Sequence, residues 1–414
     1  MTNSDTGLNG SKRIIDMNNV NELKSALPNY DNCLVNLANS VLAEFGAQTF
    51  ADTLKLADKY LAKDHKNVVL LLLDAMGTAN LEKHLKADGF FRSHYVDSYS
   101  SVFPPTTVAA TTSVMSGLYP NEHGWLGWDV YYPQLDKNVS VFLNMEQKTD
   151  KEGAEPVGVD ESGKALWDED SLADRGPVAN FHAGYTFCPY ESVVDKINKA
   201  GGTAYFSMPF MPPFPQTLDE ILGRITKLCK EPGKKFIYAY WNEPDSTMHR
   251  TGTLSPQTHE MFTSLEDIVE KFASELEDTL LIVTADHGHV DCDNICILDH
   301  PEFLKCLKRL PSIEPRTLNM FVKDEYKKDF PKIFKEHFGE GFLILTREEV
   351  IANKVFGIGK DREGLEEMIG DYVALSTSPK AIFMSHYEAQ MMPGGHAGLT
   401  PEELIIPFIA IEKE

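Results

Sequence analysis

Two short segments of this chain combine aspartate and histidine at spacings that suit a metal ion. Asp245 and His249 lie four residues apart, which places both on one helical face or around one tight turn. Asp286 and His287 are adjacent, so a regular strand would point them to opposite faces. They can act together only beyond a strand end, where the chain turns at Gly288. Carboxylate and imidazole are ordinary zinc ligands, so the pairs predict a metal site; an exposed Asp–His pair on a helix is the alternative for the first.

A further carboxylate and a hydroxyl occur earlier in the chain. Asp74 follows the apolar run 68–73, where an unpaired carboxylate is costly and a cation is the simplest partner. Thr106 and Thr107 follow a Pro-Pro break and open a predicted helix, whose first N–H groups favour an anion. A threonine hydroxyl held against a metal can lose its proton and attack phosphorus. For all three residues, capping of a helix N-terminus is the alternative role.

A third histidine completes the set. His396 lies between Gly394-Gly395 and Gly398, in a loop that allows close approach to a ligand; an exposed turn is the alternative. Together these segments supply one hydroxyl, three carboxylates and three imidazoles, enough for two divalent cations. The ligand types favour Zn²⁺, with Mn²⁺ as the alternative.

The elements before these residues indicate how they would meet. The apolar runs 68–73, 236–241 and 280–283 each precede one of the acidic segments. A short apolar run that ends in polar residues is typical of a buried strand. In open α/β sheets, ligands bind beyond the carboxyl ends of the strands. We therefore expect the candidate ligands to gather at one edge of a sheet.

The wider pattern predicts an α/β fold. Strand-like and helix-like segments alternate from about residue 193 to 283, which indicates a mainly parallel central sheet with helices on both faces. After residue 296 lysine and glutamate crowd together. We predict a catalytic core at 1–296 and 386–414, with 1–66 as an N-terminal helical segment packed on it. Residues 297–385 are predicted to form an inserted α+β cap.

Composition restricts the partners. The 414 residues carry a net charge of −23, which argues against binding a nucleic-acid polymer. A small anionic substrate is compatible with this charge because bound cations invert the local field. No apolar run is long enough to cross a membrane, and the N-terminus lacks the apolar region of a signal peptide. With only six cysteines, the chain is expected to be cytoplasmic; no pattern indicates an oligomeric state.

The order of these motifs resembles the alkaline phosphatase superfamily, and most of all its type I phosphodiesterase/nucleotide pyrophosphatase family. The resemblance spans residues 73 to 396 and says little about residues 1–66 or the cap. The matching segments are Leu73-Asp74, Phe103-Pro104-Pro105-Thr106-Thr107, Ser116-Gly117-Leu118-Tyr119-Pro120-Asn121-Glu122-His123-Gly124, Asn242-Glu243-Pro244-Asp245-Ser246-Thr247-Met248-His249, Thr284-Ala285-Asp286-His287-Gly288 and Gly395-His396.

The resemblance implies a role for each candidate ligand. Counted back from Gly117, the nucleophile falls on Thr107 rather than Thr106. One metal would be held by Asp74, Thr107, Asp286 and His287, and the other by Asp245, His249 and His396. The implied activity is cleavage of a phosphodiester or pyrophosphate bond in a small phosphoryl compound, such as a nucleotide, through a phospho-threonine intermediate.

Two positions depart from the family pattern. Ala110 stands where an asparagine commonly binds a phosphoryl oxygen, and Val108 replaces an aromatic residue that helps to frame a base. Both concern nucleotide specificity and not the metal chemistry. Phosphomonoester or phosphonate hydrolysis is therefore an alternative, and a non-catalytic metal-binding relative is another. Trp125 and Trp128 are candidates for substrate stacking, with packing as the alternative, and His289 is a candidate support for the ligands.

Overall fold

The computed structural model describes residues 20–414, with side chains from residue 23 onward. The predicted N-terminal segment is therefore described only from residue 20, where it contributes three helices, Val20–Ala26, Leu34–Glu44 and Lys55–Leu61. Its earlier part lies outside the described residues. In the described part of the chain, no helix is long and apolar enough to span a membrane.

A six-stranded sheet forms the centre of the fold. In spatial order its strands are Tyr95–Ser100, Ile405–Lys413, Thr279–Thr284, Asn67–Leu73, Lys235–Trp241 and Ala204–Ser207. The last four are parallel neighbours, whereas Ile405–Lys413 runs antiparallel to both of its neighbours. The prediction of an α/β fold with a mainly parallel central sheet is confirmed.

The sequence explains why these strands lie at the centre. Every residue of Asn67–Leu73 and of Thr279–Thr284 is buried, as expected for strands covered on both faces. The helices bury one side instead: Leu218–Lys230 is capped by the Thr217 hydroxyl and buries apolar residues three and four apart. The remaining helices are Thr78–His84, Phe90–Ser93, Thr107–Ser116, Pro120–His123, Ala183–Phe187, Val193–Lys199, Asp245–Thr251, Pro256–Ser274, Pro301–Leu304, Phe330–Phe338, Arg347–Ala352, Leu365–Met368, His386–Met391 and Pro401–Leu404.

A second, seven-stranded sheet contains four of the five strands of the predicted cap; the fifth, Lys380–Phe383, pairs elsewhere. Its spatial order is Phe342–Thr346, Tyr372–Ser376, Thr317–Met320, Ser312–Glu314, Asp129–Tyr132, Lys137–Ser140 and Met145–Glu146. The last three belong to the region that the sequence pattern assigns to the core. Antiparallel pairing of Ile313 with Asp129 joins the two regions. The second sheet therefore draws on both sides of the predicted boundary at residue 297.

Three short ladders complete the strand pairing of the described residues. Val290–Asp291 pairs with Gly394–Gly395, and Asp293–Cys296 pairs in parallel with Lys380–Phe383. The third joins Gly158–Val159 to Ala165–Leu166. The first ladder matters most for the site, because it returns a distant segment of the chain to the residues that follow Asp286 and His287.

Candidate metal centre

The first predicted ligand group lies together at the end of the central strands. Thr107 Oγ1 is 3.3 Å from Asp74 Oδ2 and 3.3 Å from His287 Nε2. His287 Nε2 is 3.3 Å from Asp74 Oδ1 and 3.5 Å from Asp286 Oδ2. Zinc–ligand bonds near 2 Å at tetrahedral angles place neighbouring ligand atoms roughly 3.3 Å apart. The spacing of these four side chains therefore fits one divalent cation.

The second predicted group shows the same spacing. His249 Nε2 lies 3.4 Å from Asp245 Oδ1 and 3.2 Å from His396 Nε2. The distance from His396 Nε2 to Asp245 Oδ1 is 3.7 Å. These three atoms form a triangle that one cation can fill, with a coordination position left for a substrate.

Strand ends and one helix position the acidic ligands. Asp74 directly follows Asn67–Leu73, and its backbone N–H donates to Trp241 O at 3.0 Å. Asp245 opens the helix Asp245–Thr251 and donates from its N–H to Asp74 O at 3.1 Å. Both predictions from spacing are confirmed: Asp245 and His249 share a helix, and Asp286 and His287 lie beyond the strand Thr279–Thr284.

Close packing fixes the turn after His287. A Cβ atom on Gly288 would lie 1.9 Å from the carbonyl oxygen of Glu402. No side chain fits there, so the turn requires glycine. Two non-glycine residues next to ligands, Ala75 and Ala397, adopt φ angles of 61° and 85°. Such angles are costly for alanine and cluster at functional sites.

The three histidines all present the same ring nitrogen to the centre. Their Nδ1 atoms lie beside backbone carbonyl oxygens: His287 with Gly288 at 3.0 Å, His249 with Gly394 at 3.0 Å and His396 with Pro105 at 3.1 Å. An Nδ1–H that donates to a carbonyl leaves the Nε2 lone pair free to bind metal. The backbone thus selects the tautomer that a metal site needs.

The candidate carboxylates are buried close to one another, which disfavours their charged forms. Burial, followed by the charges of Asp286 and Asp245, raises the pKa of Asp74 well above its usual range. Burial also raises the pKa of Asp286 to about 7. Asp286 Oδ2 and Asp245 Oδ1 are buried and lack hydrogen-bond partners among the described residues. Buried, unpaired carboxylate oxygens are costly, and a bound cation would compensate them.

Two neighbouring side chains support these ligands. The Tyr240 hydroxyl donates a hydrogen bond to Asp74 Oδ2. His289 is fully buried, and its Nδ1 lies 3.3 Å from Asp245 Oδ1. Although burial tends to raise the pKa of Asp245, His249 and His289 outweigh it and hold that pKa low. Tyr240 was not predicted from the sequence, because no local pattern distinguishes it from other tyrosines in strands.

Thr107 is the first residue of the helix Thr107–Ser116, and Thr106 is its N-cap. The first backbone N–H groups of this helix have no partner within the helix and favour an anion near Thr107. Val108 and Ala110 are fully buried in apolar clusters. Neither side chain therefore offers a polar group to a substrate, which agrees with the departures seen in the sequence.

Comparison with known proteins supplies the family. Residues 68–342 match the model of the type I phosphodiesterase/nucleotide pyrophosphatase family, which is more than half of the chain. This chain belongs to that family. The match includes six of the seven predicted ligands; His396 lies beyond it and reaches the site through the ladder between Val290–Asp291 and Gly394–Gly395.

Curated relatives are distant and much longer. The chain is 22% identical over 261 residues to ectonucleotide pyrophosphatase/phosphodiesterase family member 3 of Mus musculus, covering 61% of this chain and 26% of that protein. It is 24% identical over 203 residues to venom phosphodiesterase 2 of Crotalus adamanteus, covering 47% and 23%. The chain thus spans about a quarter of the length of these relatives.

Solved structures share the fold. Murine ectonucleotide pyrophosphatase/phosphodiesterase 5, as an inactive threonine-to-alanine variant in complex with AMP, superposes with a TM-score of 0.56 at 16% identity. The alignment covers 84% of this chain and 88% of that one. The human protein gives a TM-score of 0.55 at 16% identity, covering 83% and 87%.

In this family member a cavity of about 240 Å³ opens beside the second ligand group. Its lining includes four of the candidate ligands: Thr107, Asp245, His249 and His396. Trp128 lines the cavity, whereas Trp125 does not: its indole is buried and donates to Cys188 O at 2.8 Å. The prediction that Trp125 contacts substrate is therefore corrected, because this side chain belongs to an apolar cluster.

One acidic residue of the cavity was not predicted from the sequence. Glu314 lines the cavity and accepts hydrogen bonds from Thr106 Oγ1 at 2.6 Å and from the Trp128 backbone N–H at 2.8 Å. Glu314 lies 208 residues from Thr106 in the chain, so no local spacing could reveal their contact. The pairing of Ile313 with Asp129 in the second sheet places Glu314 beside Thr106.

Proposed function

We propose that this chain is a two-metal phosphohydrolase that cleaves a phosphodiester or pyrophosphate bond through a phospho-threonine intermediate on Thr107. One observation carries the proposal: Thr107 Oγ1 lies 3.3 Å from both Asp74 Oδ2 and His287 Nε2 at the start of a helix. Family membership supports the reaction class. The donor set suits Zn²⁺, with Mn²⁺ as the alternative.

Each group in the centre has a chemical task. Two divalent cations, when bound, would lower the pKa of the Thr107 hydroxyl and neutralise phosphoryl charge. Asp74 and His287 orient the Thr107 oxygen, which loses its proton and attacks phosphorus in line. An O–P bond to Thr107 forms while the bond to the leaving oxygen breaks, and that oxygen takes up a proton. Water then displaces Thr107 from phosphorus, releasing the product and restoring the hydroxyl.

His289 is proposed to hold Asp245 in its ligating orientation through the 3.3 Å contact of Nδ1. Partners of metal ligands commonly fix ligand geometry in this way. The buried position of His289, with no other partner for its ring nitrogens among the described residues, supports this role.

A small nucleotide is the first substrate to test, because a relative of the same fold was solved with AMP. Hydrolysis of a phosphomonoester or phosphonate is the second candidate. The buried Ala110 and Val108 favour it, because neither supplies the phosphoryl or base contact of the family pattern.

A cytoplasmic location is also proposed, supported by six cysteines that are all free.

The decisive experiment compares nitrophenyl monoesters and diesters with the zinc-loaded wild type and with Thr107→Ala. We expect turnover by wild type and a loss of at least about a thousandfold in Thr107→Ala. Thr106→Ala is the matched comparison, since it removes the neighbouring hydroxyl but not the proposed nucleophile. Trapping of phosphate on Thr107, detected by mass spectrometry, would identify the intermediate. Full hydrolysis by Thr107→Ala would refute the assignment.

A further inference from the structure

The cavity beside the metal centre has more acid than base in its walls. Its charged lining, apart from the ligands, consists of Asp129, Glu314, Glu388, Lys148 and Arg316. Lys148 Nζ lies 3.4 Å from Glu388 Oε1. Both oxygens of Glu403 accept from Arg316, at 2.7 and 2.8 Å. The two basic side chains are thus paired, while Asp129 and Glu314 have no ion-pair partner among the described residues.

In the part of the chain that the structure describes, Glu314 has no positively charged neighbour to compensate its carboxylate. Burial raises the pKa of Glu314 to about 8. Glu403 is more deeply buried than Glu314, but the Arg316 guanidinium outweighs burial and lowers the pKa of Glu403. The two glutamates differ in having or lacking a positive neighbour. Glu314 Oε1 accepts hydrogen bonds from Thr106 and Trp128, whereas Oε2 has no hydrogen-bond partner among the described residues.

Asp129, on the neighbouring strand, is a second acid for which the described residues provide no ion pair. Burial raises its pKa to about 6, although Ser140 Oγ donates to its Oδ1 at 2.7 Å and the charge of Arg175, which donates to the same Ser140 oxygen, acts in the opposite direction. Asp129 pairs with Ile313, the residue before Glu314, so the two acids come from adjacent strands of one wall.

An exposed aromatic residue lies beside these acids. Trp128 lines the cavity and is 39% exposed, and its backbone N–H donates to Glu314. The face of a tryptophan ring attracts cations, most strongly where water is excluded. The carboxylates and the exposed indole therefore attract cations, whereas a metal centre attracts anions.

We infer that this cavity selects phosphodiesters whose substituent carries an amine or ammonium group. The inference rests on the proposed function, because the phosphoryl group must lie at Thr107 for its substituent to enter the cavity. The bound cation would supply the charge that Asp129 and Glu314 lack, and its alkyl groups would contact Trp128. A substituent with additional phosphates would bring negative charge against the same acids.

The test uses three nitrophenyl phosphodiesters whose second substituents have similar size: 2-aminoethyl, propyl and carboxymethyl. For the zinc-loaded wild type we expect kcat/KM for the aminoethyl ester to exceed that of the propyl ester about tenfold, a factor that one nearby unpaired charge can supply. The carboxymethyl ester should be the slowest. The assays are run at about pH 9, above the pKa of about 8 of Glu314, so that its carboxylate is ionised. Glu314→Gln keeps the shape and an acceptor oxygen but removes that charge, so the aminoethyl-to-propyl ratio should fall several-fold.

Glu302→Gln is the matched control, because Glu302 is 70% exposed, pairs with Lys305 and does not line the cavity. It makes the same charge change and should leave the ratio as in wild type. An aminoethyl-to-propyl ratio of one or less in wild type, or an unchanged ratio in Glu314→Gln, would overturn the inference.

A binding measurement separates this inference from the proposed function. Calorimetric titration of the zinc-loaded protein with 2-aminoethylphosphonate and propylphosphonate requires no turnover, and we expect tighter binding of the amine. Hydrolysis of all three esters without preference would refute the selectivity and leave the reaction standing. Absence of any hydrolysis, with the amine still bound more tightly, would refute the reaction and leave the selectivity standing. Equal affinities would overturn the selectivity in either case.

Discussion

A buried ion pair joins the second sheet to the loop that carries His396, and its removal should be severe. Arg316 and Glu403 are 1% and 0% exposed. Besides both Glu403 oxygens, Arg316 donates to the carbonyl oxygens of Ser378 and Lys380 at 2.8 and 3.0 Å. Glu403 Oε1 also accepts from Gly398 N at 2.7 Å, two residues after His396. The pair therefore supports both folding and the second ligand group.

The expected cost of Arg316→Met follows from these contacts. The substitution keeps much of the side-chain volume but leaves the Glu403 carboxylate buried without its cation, which costs about 3–5 kcal/mol. Two part-buried carbonyl groups also lose a donor, but Ser376 Oγ still donates to both, so this adds less than about 1 kcal/mol each. We expect the free energy of unfolding to fall by about 4–6 kcal/mol.

Urea unfolding of wild type, Arg316→Met, Glu403→Gln and the double variant measures this cost and its origin. The double variant should recover at least half of the loss in Arg316→Met, because it leaves no uncompensated charge. A loss below about 1 kcal/mol in Arg316→Met, or additive effects in the double variant, would refute the reasoning. Titration adds a check: Arg316 outweighs burial and lowers the pKa of Glu403 in the folded state. The stabilisation is thus present above the unfolded pKa of about 4.3 and disappears as pH falls through the lower folded pKa.

Three other outcomes are expected. Gly288→Ala should destabilise the protein and weaken zinc binding measured by chelator competition, because its Cβ would lie 1.9 Å from a carbonyl oxygen; Gly223→Ala, with nothing within 4 Å, should instead raise the unfolding free energy by up to about 1 kcal/mol. Removal of metal with a chelator should lower Tm and abolish hydrolysis, and zinc should restore both; an unchanged Tm would contradict a buried site. Hydrogen bonds to Asp299 and Asp150 outweigh burial and raise the pKa of His386. The stability that protonated His386 contributes is therefore complete below about pH 6.5 and lost as pH rises through the folded pKa. The free energy of unfolding of His386→Asn should change less between pH 5.5 and 8.5 than that of wild type.

The ligand positions could be predicted because they depend on short-range patterns and one rule of topology. Asp74, Asp245 and Asp286 each follow an apolar run that forms a strand of the central sheet. These three strands are parallel neighbours, so their carboxyl ends meet at one edge. The adjacent Asp286 and His287 could be placed beyond a strand end because strand geometry forbids them to act together within it.

The cavity wall could not be predicted from the same patterns. Trp125 and Trp128 are three residues apart in one irregular segment, yet one is buried in an apolar cluster and the other lines the cavity. Their difference depends on which segments pack beside them. Glu314 reaches Thr106 only because Ile313 pairs with Asp129 across 184 positions of the chain. Such pairing is set by side-chain packing between distant strands, which periodicity along the chain does not encode.

The candidate ligands and the acids of the cavity therefore have different structural origins. The ligands come from the ends of central strands, from the helices Thr107–Ser116 and Asp245–Thr251, and from the segment after Gly394–Gly395, while Glu314 and Asp129 belong to the second sheet. At their junction Ile313 has a φ angle of 80°, which a β-branched residue rarely adopts and which costs roughly 1–3 kcal/mol. The surrounding packing must hold this conformation, which turns Glu314 towards Thr106. Since Glu314 and Asp129 are not candidate ligands, we expect substitutions of these two residues to change the charge of the cavity more than the chemistry at Thr107, in contrast to Arg316.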